Sequence, residues 1–173
     1  NALGLAQLCQ PFHGVICHER AHIQTDECGA MEFHTRGAKL FLTKTNDGKI
    51  DLRETEKLIA QQVDLHGHMM RAISIAQATE LGTVYTTNEV EAIGAFARAH
   101  RMLLHMDGAR FANAVASLGC TPKTITWKAG VDVLSFGGTK NGVSAGEPVI
   151  FFDKTASRDF QCRVKQAGQL GSK

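Results

Sequence analysis

The sequence predicts an α/β domain in three layers, a mostly parallel sheet covered by helices on both faces. Three observations lead there. Short apolar runs alternate with amphipathic stretches along the chain. The runs read as strands buried on both faces. Chemically loaded residues follow several of them directly, the position at which ligands sit in such sheets.

Taken in order, residues 2–8 have helical spacing that stops near Pro11. The run 14–17 is a short buried strand, and 23–34 is polar with scattered apolar residues, a short helix. Residues 39–43 read as a strand. Asn46-Asp47-Gly48 is a turn by its chemistry, and Asp51 caps a helix to about Gln62 with Leu52, Leu58, Ile59 and Val63 as its apolar stripe. Residues 70–76 form a strand. Thr87 is expected to cap a long helix with Val90, Ile93, Phe96 and Ala97 on one face. Residues 102–106 are a buried strand ending at Asp107, and 111–118 are helical. The strand 131–136 closes on Gly137-Gly138-Thr139-Lys140, and 148–152 is another strand. The stretch from Thr155 is expected to be helical and to stop without a cap at Lys173.

The 173 residues suit one domain, with no repeat or linker to split them. At 43% hydrophobic and 21% charged the chain has a core and is not disordered. A net charge of +2 without a basic block argues against nucleic acid as a partner. The longest uncharged stretch, 1–17, contains Gln, Pro, His and Gly, so no membrane span is expected, and it lacks the cationic start of a signal peptide. Asn1-Ala2-Leu3-Gly4 looks like the middle of a helix, and the chain is expected to be part of a longer protein. Five scattered cysteines, none in a CxxC pair, read as reduced thiols of a cytoplasmic protein.

Three segments carry chemistry. In His105-Met106-Asp107-Gly108-Ala109-Arg110 a carboxylate ends an apolar strand, an expensive place unless it meets a cation. The local pattern equally suits a helix-capping Asp with Arg110 as its surface partner. In Ser135-Phe136-Gly137-Gly138-Thr139-Lys140-Asn141-Gly142 a lysine sits in a glycine-rich turn after a buried strand. Partial desolvation there would lower its pKa and suit it to Schiff-base chemistry. A phosphate-holding loop or a plain turn are the other readings, and the order GxxxxGK[ST] is absent. His18-Glu19-Arg20-Ala21-His22 matches HExxH, which on a helix binds zinc through both histidines. Here an apolar strand ends at Cys17, and Pro11 and Gly14 oppose an upstream helix. His66-Gly67-His68 reads as a solvated loop, and His13, His34, His100 and His105 have no matching partners.

Together these segments resemble low-specificity L-threonine aldolases, within the fold-type I pyridoxal 5'-phosphate (PLP) enzymes. The matching text is Ala21-His22-Ile23, Asp26-Glu27-Cys28-Gly29-Ala30, the stretch from His105 through Arg110 to Ala114, and Phe136-Gly137-Gly138-Thr139-Lys140-Asn141-Gly142. The resemblance runs end to end and implies that residues 1–173 are an incomplete cofactor-binding large domain. The chain would start just after the phosphate loop and stop before the small C-terminal domain.

The resemblance also implies roles. Lys140 would hold PLP as a Schiff base. Asp107 would pair with the pyridine nitrogen and keep it protonated. His22 would stack on the ring and serve in acid–base work. Thr139 would donate to the phosphate, and Arg110 would bind the substrate carboxylate. The implied reaction cleaves L-threonine or L-allo-threonine to glycine and acetaldehyde, and it needs a base for the hydroxyl proton. One branch of the family carries Thr-His-Asn-Gly where this chain reads Thr79-Glu80-Leu81-Gly82. Glu80, His22 or a water are the candidate bases. No metal is implied, and the family is expected to work as a homodimer or homotetramer. The alternatives are another fold-type I lyase or aminotransferase, or a zinc hydrolase through residues 18–22.

Overall fold

The computed structural model describes residues 1–62 and 64–171. Among the described residues six strands form one sheet in the order β2-β1-β3-β4-β5-β6. They are β1 (His13–His18), β2 (Lys39–Thr43), β3 (Met69–Ala76), β4 (Leu103–Gly108), β5 (Val133–Phe136) and β6 (Val149–Phe151). The first five run parallel and β6 is antiparallel to β5. The predicted three-layer α/β architecture is therefore present. Among the described residues no helix is long and apolar enough to cross a membrane. The five cysteines are unbridged.

Side-chain alternation sorts the core into two layers. On one face Val15, Cys17, Ala72 and Val133 pack with Leu5 and Leu8 of α1 (Ala2–Leu8), Ile23 of α2 (His22–Thr25) and Met31 of α3 (Ala30–Thr35). On the other, Ile16, Ile73, Ile75, Leu104 and Met106 pack with Val90, Ile93 and Ala97 of α5 (Thr87–Ala99) and Phe111 of α6 (Phe111–Leu118). Leu52, Leu58 and Ile59 of α4 (Leu52–Ala60) join this second layer. Val63, the fourth residue of that predicted stripe, lies outside the described residues. Because β4 alternates with period two, His105 and Asp107 point away from the Leu104–Met106 layer, toward α1.

Three local expectations change. The segment expected as one helix over 23–34 is two short ones, broken where Cys28 and Gly29 take positive φ (51° and 72°). The cap of α5 is Thr86, not Thr87. The pattern Thr86-x-x-Glu89 forms a capping box in which each side chain bonds the other's backbone N–H. Asp51 caps α4 as expected, accepting from the N–H groups of Arg53 and Glu54. The stretch from Thr155 opens with turns, and among its described residues only α7 (Phe160–Gln166) is helical. Its expected stop at Lys173 lies outside the described residues.

Candidate active site

The ends of β4 and β5 meet through glycine. A Cβ on Gly137 would stand 2.7 Å from the Ala109 Cα, so only glycine lets the turn after β5 lie against the turn after β4. Asn141 then ties the two turns together. Its Nδ2 faces the carbonyls of Gly137 (2.6 Å), Gly108 (3.1 Å) and Ala109 (3.2 Å), and its Oδ1 accepts from the Ala112 N–H (2.7 Å). Lys140 lies between, in a single 3-10 turn, Gly138–Asn141. As a result Asp107 and Lys140 line one cleft of about 790 Å³, together with Asn1, His22, Glu27 and Thr139. The expected desolvation of Lys140 is not seen: its position in a short surface turn leaves it exposed. Among the described residues it forms no ion pair.

Asp107 is 6% exposed, and its carboxylate is satisfied by amides rather than by a cation. Oδ1 accepts from the Ala109 N–H (2.9 Å), and Oδ2 accepts from Asn1 Nδ2 (2.6 Å). Asp107 is not the cap of α6, where Arg110 holds that position without a side-chain bond. Asn1 precedes α1 in the capping position, but its amide is turned away to two carboxylates, Asp107 and Glu27 (2.7 Å). Its Oδ1 is buried and finds no partner among the described residues. Glu27 also bonds His22 Nδ1 at 3.0 Å. One ligand atom from each of His22, Glu27 and Asp107 lies within 4.8 Å of the others.

The remaining predicted site residues are placed differently. Arg110 pairs not with Asp107 but with Glu80 (3.7 Å), across the turns that follow β4 and β3. Neither is among the residues lining the Asp107–Lys140 cleft. The Thr139 hydroxyl donates to Glu147 (2.7 Å), whose carboxyl that bond holds below its usual range. The HExxH reading fails on geometry. His18 is the last residue of β1 and His22 the first of α2, so no single helix carries both. His18 is also buried, with Nδ1 accepting from the Arg20 N–H (3.1 Å) and Nε2 facing the Thr45 carbonyl (3.2 Å).

Below Asp107 on the same face, His105 is fully buried between Ser74 of β3 and Ser135 of β5, each hydroxyl 2.9 Å from a ring nitrogen. Burial pushes its pKa down to about 3, so the ring is neutral. One donor and one acceptor on a neutral imidazole match two hydroxyls, each able to play either part.

The profile of the beta-eliminating lyase family matches residues 1–173, the whole chain. The chain belongs to that family. It is 51% identical over all 173 residues to a low specificity L-threonine aldolase of Pseudomonas aeruginosa, of which it covers 50%. A threonine aldolase structure from Leishmania major superposes with a TM-score of 0.89 at 29% identity, over 97% of this chain and 48% of that one. A PLP-bound protein from Clostridium difficile shares the fold alone, with a TM-score of 0.71 at 13% identity over 96% of this chain and 43% of that one. The chain thus spans about half the length of the relatives it matches. None of these likenesses supports a zinc hydrolase.

Three contributors at the site carried no role in the sequence reading. Glu27 and Asn141 stand inside the motifs used to recognise the family, but the partners that tie them to other segments (Asn1 for Glu27; Ala112, Ala109 and Gly108 for Asn141) are 26 to 33 residues away along the chain. Asn1 had no motif at all.

Proposed function

We propose that this chain is the cofactor-binding part of a PLP-dependent lyase that cleaves L-threonine or L-allo-threonine to glycine and acetaldehyde. The observation behind it is that a buried carboxylate, Asp107, on β4 and an amine, Lys140, in the turn after the neighbouring strand β5 line one cleft. That donor set fits PLP, whose aldehyde takes a primary amine and whose ring nitrogen takes a carboxylate. When bound, PLP supplies a sink for the electron pair left on the substrate Cα.

The chain's own residues do the rest. Lys140 Nζ tethers the cofactor. Asp107 holds a proton at the pyridine nitrogen, its carboxylate kept in place by the Ala109 N–H and the Asn1 amide. His22, with a side chain 37% exposed, lies at the cleft wall to cover the ring. Of the groups named for the hydroxyl proton, His22 lines the cleft and Glu80 does not, so His22 takes the proton and Glu80 serves as the counter-ion of Arg110. Arg110 binds the substrate carboxylate by exchanging Glu80 for it. A part-exposed pair at 3.7 Å gives this up at little cost, since such pairs contribute about 0–1 kcal/mol. Thr139 would have to release Glu147 to serve a phosphate, and the Glu147 charge opposes that, so the phosphate is assigned elsewhere.

The test uses the full-length protein with PLP. Borohydride reduction followed by peptide mapping should place the pyridoxyl mass on Lys140, and L-threonine should yield glycine and acetaldehyde. Lys140→Ala should lose the label, the visible absorption of bound cofactor and turnover together. A label on another lysine, or full turnover in the variant, defeats the proposal. Amino transfer without acetaldehyde would assign the chain to the aminotransferase reading. The cytoplasmic, dimeric or tetrameric enzyme expected of the family is supported by the unbridged thiols as to compartment, and light scattering measures the assembly.

A further inference from the structure

We infer that Glu27 is a positioning residue for His22, and that its Oε1 holds the imidazole in the Nδ1–H tautomer so that Nε2 is the proton-accepting atom. The role assigned to Nε2 rests on the proposed function above; the tautomer itself does not.

The chain builds this contact deliberately. α2 lasts only four residues, and positive φ at Cys28 and Gly29 turns the backbone directly after Glu27. The carboxylate is thereby brought under the imidazole that opens the helix. Its side chain is only 12% exposed, where a glutamate is seldom left unless paired. Glu27 Oε1 faces two nitrogens, His22 Nδ1 at 3.0 Å and Asn1 Nδ2 at 2.7 Å.

The Asn1 amide settles which atoms carry protons. Its nitrogen lies between two carboxylate oxygens, Glu27 Oε1 and Asp107 Oδ2 (2.6 Å), and only an NH2 group can face both. Glu27 Oε1 therefore accepts from Asn1, and as part of an ionised carboxylate it has no proton to give the ring nitrogen on its other side. His22 Nδ1 must bear the proton. In the neutral ring Nε2 then carries the lone pair, and among the described residues only Nδ1 of this ring has a hydrogen-bond partner. A free histidine side chain favours the opposite tautomer, with the proton on Nε2. The carboxylate–imidazole pairing fixes both the tautomer and the ring plane, as buried acceptors do for histidines elsewhere.

The experiment reads the tautomer directly. Nitrogen-15 spectra of the histidine rings should show His22 as Nδ1–H in the full-length protein, with or without PLP. Glu27→Leu, which removes the acceptor and keeps the bulk, should move it toward Nε2–H. It should lower kcat about 10- to 100-fold while KM stays within about threefold. Glu27→Gln keeps an acceptor oxygen and should retain the Nδ1–H tautomer and recover most of the turnover. A merely structural role predicts no tautomer change in either variant. An Nε2–H ring in the unmodified protein, or an unchanged tautomer in a folded Glu27→Leu variant, overturns the inference. If Glu27→Leu does not fold, the spectrum of the unmodified protein and that of Glu27→Gln decide. Failure of the proposed function looks different: Lys140 stays unlabelled by borohydride while the tautomer still responds to Glu27.

Discussion

Acidification should weaken this protein through one buried ring. His105 is fully enclosed between Ser74 and Ser135, and desolvation lowers its pKa from the ordinary 6.5 to about 3. Between those values the unfolded chain binds a proton that the folded protein refuses, so stability falls as pH falls. The slope from one such group is about 1.4 kcal/mol per pH unit. At about pH 5 the loss from His105 alone is about 2 kcal/mol relative to neutral pH. Other groups slope the same way, including His13 and the carboxyls of Asp47, Glu89, Glu147 and Asp153, whose pKa values are also lowered. The contribution of His105 is isolated by comparison with His105→Gln, which does not titrate. Urea denaturation at several pH values should find the variant less stable near neutrality by about 1–3 kcal/mol, from the serine left unpaired. That gap should narrow by about 2 kcal/mol at about pH 5. A gap that stays constant with pH would show that His105 does not resist protonation, and the neutral serine–histidine–serine bridge would be wrong.

Two further outcomes are expected. Asn141→Asp places an acceptor against the carbonyls of Gly108, Ala109 and Gly137, so it should destabilise the protein by about 1–3 kcal/mol and reduce borohydride labelling of Lys140; unchanged melting and labelling would remove Asn141 from the site. Burial pushes the Cys9 and Cys17 thiols up to about 12, whereas Cys28 and Cys162 are exposed, so a disulfide reagent should modify the exposed pair in the native protein and reach the other two only on unfolding. Rapid modification of Cys17 would contradict its burial in β1.

The order of elements was legible because buried strands announce themselves as apolar runs and the helices carry stripes or caps. The error at Thr86 came from taking the last threonine before the stripe, whereas Glu89 selects the residue three before it as its partner. Asp107 and Lys140, which line one cleft, stood out because a carboxylate and an amine after apolar strands are conspicuous where they stand. The pairing of Arg110 with Glu80 was not, since nothing local says that the turns after β3 and β4 face each other. His105 was passed over for the same reason. Its two partners lie 31 and 30 residues away, and a histidine inside an apolar run carries no mark of what will flank it.

The Asn141 clamp has a mechanical consequence. Because one side chain binds the turns that follow two adjacent strands, the backbone carrying the acid and the amine forms a single jaw, joined by side-chain bonds as well as by the sheet. The Glu80–Arg110 pair sits outside that jaw. Substitutions at those outer turns therefore leave the bonds of the clamp in place.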